Sequence, residues 1–328
     1  MHALITGAAG MIGRKLAERL ARDGTPDGKP LDQLTLVDVV EPAAPANFGG
    51  VLTRMTLDLA SPGSAASTVA GRPDVIFHLA AVVSGEAEAD LEKGYRVNFG
   101  GTRNLLDAVR LRGATTGWAP RLVFASSMAV FGGDMPDVID DDFFLTPQTS
   151  YGAQKAMCEH LVADYSRRGF IRGIGIRLPT ICVRPGKPNK AASGFFSGII
   201  REPLNGQEAI LPVGEDVRHC MASPRSAVGF FLHAMMLDTA QLGIQPNLIM
   251  PALSVTVAEQ IEALERVAGS AAVKLIRRQP DAAIDKMVRG WGRAVDARRA
   301  RALGFVVETS FDEIVREYID EEMPAHRA

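Results

Sequence analysis

The hydrophobic positions of the chain fall into short runs, and several of the longer segments between them have helical spacing. Short apolar runs are typical of strands that are buried on both faces of a sheet. The runs are Ala3–Ile5, Leu34–Val37, Val51–Thr56, Val75–Phe77, Leu122–Phe124 and Ile174–Ile176. This alternation predicts an α/β fold with a doubly wound parallel sheet and helices on each face.

The pattern loosens beyond about Leu178, where the chain becomes rich in glycine, proline and polar residues. We therefore expect residues 1–178 to form a nucleotide-binding domain that also carries the reactive residues. Residues 179–328 are expected to form mainly a smaller, irregular C-terminal substrate lobe, with some segments returning to the first domain. The last clear element starts after Ser310, a residue type that caps helix N-termini, and reads as an amphipathic helix.

Composition excludes several classes of partner. The 328 residues include 36 Lys and Arg and 38 Asp and Glu, for a net charge of −2, and no long run has one sign. We expect no nucleic-acid or membrane partner. Three cysteines without metal-ligand spacing fit a reducing compartment. With no leader-like start and no run of about eighteen apolar residues, the protein is expected to be cytoplasmic.

The first predicted strand is followed by three glycines spaced three residues apart, Gly7, Gly10 and Gly13, in the stretch LITGAAGMIG. A glycine at the first position permits a tight turn, the second lets backbone approach a pyrophosphate, and the third allows close helix packing. The amides of Met11 and Ile12 open the following helix, where phosphate is bound. The stretch predicts a Rossmann-type dinucleotide site, and an ordinary glycine turn is the alternative.

Acidic residues follow the next two predicted strands. Asp38 can accept hydrogen bonds from both hydroxyls of an adenosine ribose and would repel a 2′-phosphate, which favours NAD over NADP. An aspartate that only forms a turn is the alternative. Asp58 and the amide of Leu59 suit the adenine base, although Asp58 could equally cap a helix before Pro62.

The fourth predicted strand ends in FHLAA, whose small residues would let the chain pass close to the cofactor. The predicted contacts are Leu79, Ala80 and Ala81. His78 has no second histidine or carboxylate at metal spacing, so we interpret it as a packed imidazole and predict no metal site.

A buried strand ending in two serines precedes a tyrosine and a lysine four residues apart. Tyr151 and Lys155 share one helix face. A free tyrosine has a pKa of about 10, so it can act as a base near neutrality only beside cations such as Lys155 and an oxidised nicotinamide. Ser127 can hold the substrate oxygen against the phenol. The alternative is a core tyrosine beside a surface lysine.

Four stretches together resemble the extended short-chain dehydrogenase/reductase family, in its sugar epimerase and dehydratase group: TGAAGMIG, VNFGGTRNLLDA, FASSMAVFG and YGAQKAMCE. The resemblance covers nearly the whole chain. It implies that Ser127, Tyr151 and Lys155 are catalytic and also contact NAD. It further implies that Asn98 lies beside the cofactor, that Pro179 turns backbone toward the nicotinamide amide, and that the protein is a homodimer or higher homo-oligomer.

The region Arg177–Val213 resembles the branch of this family that oxidises the four-carbon sugar acid D-erythronate at its C2 hydroxyl. A carboxylate beside the reacting carbon suits an arginine, which binds it through two parallel hydrogen bonds. The predicted substrate contacts are Ser127, Arg184, Asn189, Ser193 and Arg218. A solvated basic loop is the alternative for the arginines, and Arg218 also matches the position where epimerases bind a sugar diphosphate.

Three functions stay open at this point. An NAD-dependent dehydrogenase would release a 2-keto acid and NADH, whereas a nucleotide-sugar epimerase would return the hydride to its substrate. The same Ser, Tyr and Lys serve both reactions, so the catalytic centre does not separate them. A protein that senses dinucleotide without turnover is the third possibility, but such proteins tend to lose the tyrosine and the lysine.

Overall fold

The computed structural model describes residues 1–186 and 193–323. Contacts divide the chain into two compact units. The first contains Met1–Val130, Pro147–Arg177 and Val228–Leu248, and the second contains Phe131–Thr146, Leu178–Ala227 and Ile249–Ala328. The predicted roles of residues 1–178 and 179–328 remain predictions.

The described residues form short strands and helices in alternation. The strands are β1 (His2–Thr6), β2 (Gln33–Asp38), β3 (Val51–Thr56), β4 (Val75–His78), β5 (Arg121–Ser127), β6 (Ile139–Asp140), β7 (Arg172–Leu178), β8 (Thr180–Ile181), β9 (Ala209–Leu211), β10 (Arg218–Ala222), β11 (Asn247–Ile249), β12 (Leu253–Thr256), β13 (Ile276–Arg278) and β14 (Val295–Asp296). The helices are α1 (Met11–Asp23), α2 (Ser64–Thr68), α3 (Ser84–Ala89), α4 (Leu91–Gly94), α5 (Gly101–Thr116), α6 (Ser150–Arg167), α7 (Gly194–Leu204), α8 (Pro224–Met236), α9 (Val257–Ala268), α10 (Ser270–Val273), α11 (Ala282–Arg289), α12 (Arg298–Ala302) and α13 (Phe311–Glu322), with a π-helical turn at Tyr95–Gly100.

The main sheet has the strand order β11-β7-β5-β4-β1-β2-β3, and β1, β2, β3, β4 and β5 pair in parallel. The order reverses at β1, so the segments after β1 and β4 meet at the carboxyl edge where such sheets bind ligands. The prediction of a doubly wound parallel α/β fold is confirmed. One expectation is wrong: Val51–Thr56 is a strand, but it is not buried on both faces, because β3 is the outermost strand and Val51 is 59% exposed.

In the first unit, buried side chains of the helices pack against the strands of this sheet. Leu16, Ala17 and Leu20 form the buried stripe of α1, and Leu105, Leu106 and Val109 do the same on α5. The α5 residues join a hydrophobic cluster with Leu122, Phe124, Cys158 and Val162. Burial of these apolar faces is the main force that fixes the helices on the strands.

The second unit has its own hydrophobic core around α7, α9 and α13. Its strands form small sheets, among them β12-β10-β8. Thr256 and Glu259 form a capping box at the start of α9. Ser310 does occupy the N-cap position of α13, but it forms no cap with the backbone, because its hydroxyl faces the Glu313 carboxylate at 3.4 Å.

The three cysteines, Cys158, Cys182 and Cys220, are buried free thiols. In the described part of the chain, the helices are all too short or too polar to cross a membrane.

Candidate active site

The glycine loop after β1 shows why two of its three positions exclude a side chain. Gly7 has a φ of +75°, and a Cβ there would lie 2.7 Å from the Ala80 amide nitrogen. A Cβ on Gly13 would overlap the Gly7 carbonyl oxygen. At Gly10, which is exposed, a Cβ would meet only the Gly7 carbonyl oxygen, at 3.2 Å. The fold itself therefore requires glycine at Gly7 and Gly13, whereas Gly10 leaves open backbone that a ligand can approach.

The same loop leads into α1 without a side-chain cap. Gly10 is the N-cap in extended conformation and has no side chain that could cap the helix, and no acidic residue lies in the first turn. The first amides of a helix, here those of Met11 and Ile12, have no partner within the helix. Together with the partial positive charge of a helix N-terminus, they suit a diphosphate. These residues fit the pyrophosphate of a dinucleotide.

Asp38 lies at the end of β2, directly beside the glycine loop. Its Oδ2 accepts a hydrogen bond from the Ala9 amide at 2.9 Å, and its Oδ1 accepts one from the Val40 amide at 3.3 Å. The side chain is half-buried. A carboxylate has about four acceptor sites, so Asp38 keeps acceptor capacity for a ribose that lies against the loop.

Asp58 follows β3 and is engaged by the protein itself. Its Oδ1 accepts from the Ala60 amide at 2.9 Å, as in a local turn, and its Oδ2 accepts from Arg96 Nη1 at 2.6 Å. Burial opposes ionisation, but the hydrogen bonds outweigh it and lower the pKa of Asp58. Leu59 is buried, and its carbonyl accepts from Asn104 Nδ2 at 3.1 Å. Asp58 therefore forms a local turn, and the alternative of a helix cap is wrong, because the next helix begins at Ser64 with Gly63 as its N-cap. The contact of Asp58 with adenine stays a prediction.

The chain after β4 passes beside β1. The Leu79 amide donates to the Thr6 carbonyl at 3.0 Å, and Leu79, Ala80 and Ala81 are half-buried. His78 is buried between Thr6 Oγ1 at 2.7 Å and Thr102 Oγ1 at 2.9 Å. Burial lowers the pKa of His78 to about 3, so this imidazole is a neutral packing group.

Asn98 lies on the π-helical turn and is buried. Its Oδ1 accepts from the Val82 amide at 2.8 Å, and its Nδ2 donates to Gln154 Oε1 at 2.7 Å. Gln154 is fully buried on α6, between Tyr151 and Lys155. Asn98 therefore joins the segment after β4 to the helix that carries the predicted reactive residues. The sequence reasoning missed Gln154, because a buried glutamine inside a helix has no pattern of its own.

The structure brings Ser127, Tyr151 and Lys155 onto two packed elements, β5 and α6. Lys155 is buried, donates from Nζ to the Ala125 carbonyl at 2.7 Å, and places Nζ 5.6 Å from the centroid of the Tyr151 ring. Ser127 accepts a hydrogen bond from the Ala129 amide at 3.1 Å. Both Ser127 and Tyr151 are half-buried, so part of each residue is open to a ligand.

Local sequence explains this close packing. Thr149 caps α6 by accepting a hydrogen bond from the Gly152 amide at 3.0 Å. A Cβ on Gly152 would overlap the Ala129 carbonyl oxygen. Glycine next to Tyr151 thus lets the first turn of α6 approach the segment that follows Ser127. The pattern YG was visible in the sequence, but the contact that requires the glycine was not.

The remaining predicted residues belong to the second unit. Pro179 is buried between β7 and β8. Arg184 is half-buried, and its Nε donates to the Ile181 carbonyl at 3.1 Å. Ser193 precedes α7, and Asn189 lies outside the described residues. Arg218 begins β10, donates to the Ser254 carbonyl at 2.8 Å, and lies 3.4 Å from Glu259 Oε2.

A cavity of about 470 Å³ within the second unit includes Arg218 in its lining. Its charged groups are arginines paired with carboxylates: Arg289 binds Asp216 through two bonds of 2.8 and 2.9 Å, and Arg293 lies 3.3 Å from Asp137. A larger cavity of about 820 Å³ in the first unit is lined by residues between Leu20 and Val51 and contains none of the predicted site residues. Within residues 1–186 and 193–323, His, Cys, Asp and Glu side chains form no group that could hold a metal ion.

Comparison with known proteins gives the family. The model of the NAD dependent epimerase/dehydratase family matches residues 3–222. The chain belongs to this family. The predicted membership is confirmed, and with it an NAD-type cofactor for the fold.

Three similar proteins refine the picture of this epimerase/dehydratase family member. D-erythronate dehydrogenase from Haemophilus influenzae is 42% identical over 98% of this chain and 100% of its own length. D-erythronate dehydrogenase from Cupriavidus necator is 46% identical over 98% of each chain. The crystal structure of a nucleoside-diphosphate-sugar epimerase from Agrobacterium tumefaciens has a TM-score of 0.96 and 59% identity, covering 98% of this chain and 94% of that one.

Proposed function

We propose that this protein oxidises the C2 hydroxyl of D-erythronate with NAD, giving 2-keto-D-erythronate and NADH. The observation that carries the proposal is the full-length identity of 42 and 46% with two D-erythronate dehydrogenases. It agrees with the predicted NAD-dependent dehydrogenase of the short-chain dehydrogenase/reductase type. The packed arrangement of Ser127, Tyr151 and Lys155 supports the chemistry.

The chain's own residues supply the proton transfer and the orientation of the substrate. Tyr151 as phenolate takes the proton of the C2 hydroxyl, while Ser127 donates a hydrogen bond to the same oxygen and holds it near the phenol. Lys155, fixed by the Ala125 carbonyl, places a positive charge near the Tyr151 ring and favours the phenolate. Bound NAD supplies the acceptor for the two electrons that leave C2 as hydride.

NAD is the proposed cofactor in preference to NADP, because Asp38 presents a carboxylate where the adenosine ribose would lie. The glycine loop and the first amides of α1 would hold the pyrophosphate, and Leu79, Ala80, Ala81 and Asn98 would lie beside the cofactor. Asp58 and Leu59, which follow β3, are the proposed contacts for the adenine base, and Pro179 is a proposed contact by family resemblance.

Sugar-acid recognition is assigned to Ser127, Arg184, Asn189, Ser193 and Arg218. Arg184 is the first proposed partner for the carboxylate, because it lies within the stretch that resembles the D-erythronate branch, whereas the position of Arg218 is shared with epimerases. A short polyhydroxy acid needs one cation and several hydroxyl partners, which this set offers. We further propose a homo-oligomer, in line with the family resemblance.

A nucleotide-sugar epimerase is the second candidate, favoured by the 59% identity with the nucleoside-diphosphate-sugar epimerase of Agrobacterium tumefaciens. The two reactions differ in what accumulates. Oxidation of a sugar acid releases NADH in amounts equal to product, whereas epimerisation recycles the reduced cofactor on the enzyme. A protein that senses dinucleotide without turnover is disfavoured by the retained Tyr151 and Lys155.

The decisive experiment incubates the purified protein with NAD and a panel of sugar acids and sugar nucleotides while NADH is followed by absorbance. We expect stoichiometric NADH with D-erythronate and none with the sugar nucleotides. Interconversion of sugar nucleotides without NADH, together with no response to D-erythronate, would replace the dehydrogenase by the epimerase. Binding of NAD without turnover of any sugar acid or sugar nucleotide would favour the third function, a protein that senses dinucleotide.

A further inference from the structure

A fully buried carboxylate on α6, Glu159, joins three elements of the first unit. Its side chain has no exposed surface. It accepts a hydrogen bond from Ser126 Oγ on β5 at 2.5 Å. It also receives Arg177 from β7, with Nη2 to Oε2 at 2.8 Å and Nε to Oε1 at 3.0 Å. The two strands are neighbours in the main sheet, so one carboxylate fixes α6 to both.

Burying an ion pair removes its charges from water, so such a pair adds little net free energy to folding. Moving two charges from water into the protein interior is unfavourable, and well-packed apolar replacements of a buried pair are often neutral or stabilising. Leaving one partner alone is strongly destabilising for the same reason. Stability alone is therefore a weak explanation for charges at these two buried positions.

The position of Glu159 relative to the reactive residues suggests what the pair does. Tyr151, Lys155 and Glu159 follow one another at intervals of four along α6, which places them on one helix face. Lys155 binds the carbonyl of Ala125, and Glu159 binds the hydroxyl of the next residue, Ser126. Lys155 and Glu159, on two successive turns of α6, thus bind the two residues of β5 that immediately precede Ser127.

We propose that Glu159 is a positioning residue for catalysis. Through Ser126 and Arg177 it fixes the register of α6 along β5, and that register sets the Tyr151 phenol relative to the Ser127 hydroxyl. The inference rests on the proposed function in so far as Ser127 and Tyr151 are taken to act on the substrate. It holds equally for a dehydrogenase and an epimerase, since both need this geometry.

The test separates positioning from stability by replacing both charges at once. Glu159→Met combined with Arg177→Met keeps apolar bulk and removes both charges of the pair together. We expect this double variant to melt within a few degrees of the parent, to bind NAD normally and to keep KM. Its kcat should fall by about tenfold to a hundredfold, because small misplacements of reacting groups have effects of this size. Wild-type kcat in a folded double variant would overturn the proposal.

A milder variant decides the matter if the double variant does not fold. Ser126→Ala keeps the ion pair and removes only the link to β5, so we expect a smaller loss of kcat, about threefold to tenfold, with KM unchanged. Unchanged kcat in Ser126→Ala would then contradict the proposal. The control is Arg266→Met with Asp312→Met, which removes a more exposed ion pair of the second unit, joined at 2.7 Å. We expect its kcat to be unchanged.

The same assays distinguish failure of this inference from failure of the proposed function. Turnover of the variants is measured on whichever substrate the unmodified protein converts, sugar acid or sugar nucleotide. Conversion of sugar nucleotides alone contradicts the D-erythronate assignment but still tests Glu159. Tyr151→Phe is run in parallel, since loss of kcat in that variant establishes that the chemistry measured belongs to this site.

Discussion

Asp38 and Ala9 are joined by a hydrogen bond of 2.9 Å that ties the end of β2 to the glycine loop. The acid therefore sits at a fixed place beside the segment proposed to hold the pyrophosphate. Asp38→Ala should raise KM for NAD, because two hydrogen bonds to the ribose are lost and the loop loses its support. Asp38→Ser with Val39→Arg should in addition accept NADP, since a cation replaces the repelling carboxylate. The measurement is KM and kcat for NAD and for NADP by steady-state kinetics.

Glu18→Ala, an exposed acid on α1, is the control for the loss of one negative charge and should leave both cofactor constants unchanged. Equal use of NAD and NADP by the unmodified protein would show that Asp38 does not select the cofactor.

Tyr151→Phe tests the general base. The phenyl ring keeps the packing of α6, so NAD binding measured by fluorescence should change little. Turnover should fall about a hundredfold or more, which is the size of a general acid–base contribution. Lys155→Met should weaken NAD binding and also lower turnover, because the Lys155 ammonium is buried and bound to the Ala125 carbonyl. Full activity in Tyr151→Phe would exclude a phenolate mechanism.

The two candidate arginines should differ in their effect on the substrate. Both arginines are half-buried, and the Arg218 side chain, which is 40% exposed, lies 3.4 Å from Glu259. Arg184→Ala should weaken D-erythronate binding by about 2 to 5 kcal/mol if its guanidinium meets the carboxylate in a desolvated pair. Arg218→Ala should cost less than about 1 kcal/mol, as exposed pairs do. KM values for D-erythronate in the two variants give the comparison, and the reverse order would assign the carboxylate to Arg218.

Gly10 and Gly13 offer a way to separate ligand approach from folding. Gly10→Ala places a Cβ with only one neighbour, at 3.2 Å, in a conformation that alanine adopts. We expect a nearly unchanged melting temperature and a weaker affinity for NAD. Gly13→Ala drives a Cβ into the Gly7 carbonyl and should lower the melting temperature clearly. Calorimetry for stability and titration for NAD are the measurements, and equal losses of stability in the two variants would contradict this division of roles.

The strands could be predicted where they are buried, because burial on both faces restricts a strand to apolar residues. Leu34–Val37 and Leu122–Phe124 are apolar because both faces are covered, and each falls within an observed strand. The exposure of Val51 was not predictable, because an edge strand is defined by the neighbour it lacks. Which strand lies outermost is a property of the sheet order and not of the residues in the strand.

The candidate site likewise contains some residues that the sequence could predict and others that it could not. The glycine loop and the Tyr151–Lys155 spacing were visible because local geometry restricts the residue types. Gln154 and Glu159 were not found, since their partners Asn98, Ser126 and Arg177 lie far away along the chain. Only the fold brings such pairs together, although the spacing of Tyr151, Lys155 and Glu159 on one helix face could have indicated a common role.

Glu317 on α13 should make the stability of the second unit depend on pH. The carboxylate is buried, accepts a hydrogen bond from the Arg225 amide at 2.8 Å, and lies 3.8 Å from the Arg225 side chain. Burial raises the pKa of Glu317 from an ordinary value of 4.5 to about 7. The folded protein therefore holds a proton there that the unfolded chain releases above pH 4.5.

A carboxyl group whose pKa is raised on folding costs stability as the pH rises between the two pKa values. The free energy of unfolding should fall by up to about 3 kcal/mol from this group between pH 4.5 and 7, and not further above pH 7. Glu317→Gln keeps an oxygen for the Arg225 amide and has no proton to lose, so its urea-unfolding curves should lack this part of the pH dependence. Glu262→Gln removes an exposed carboxylate of α9 and is the control. If Glu317→Gln and the parent lose stability in parallel from pH 5 to 7, Glu317 is already ionised in the folded protein, and the Arg225 amide and side chain together outweigh its burial.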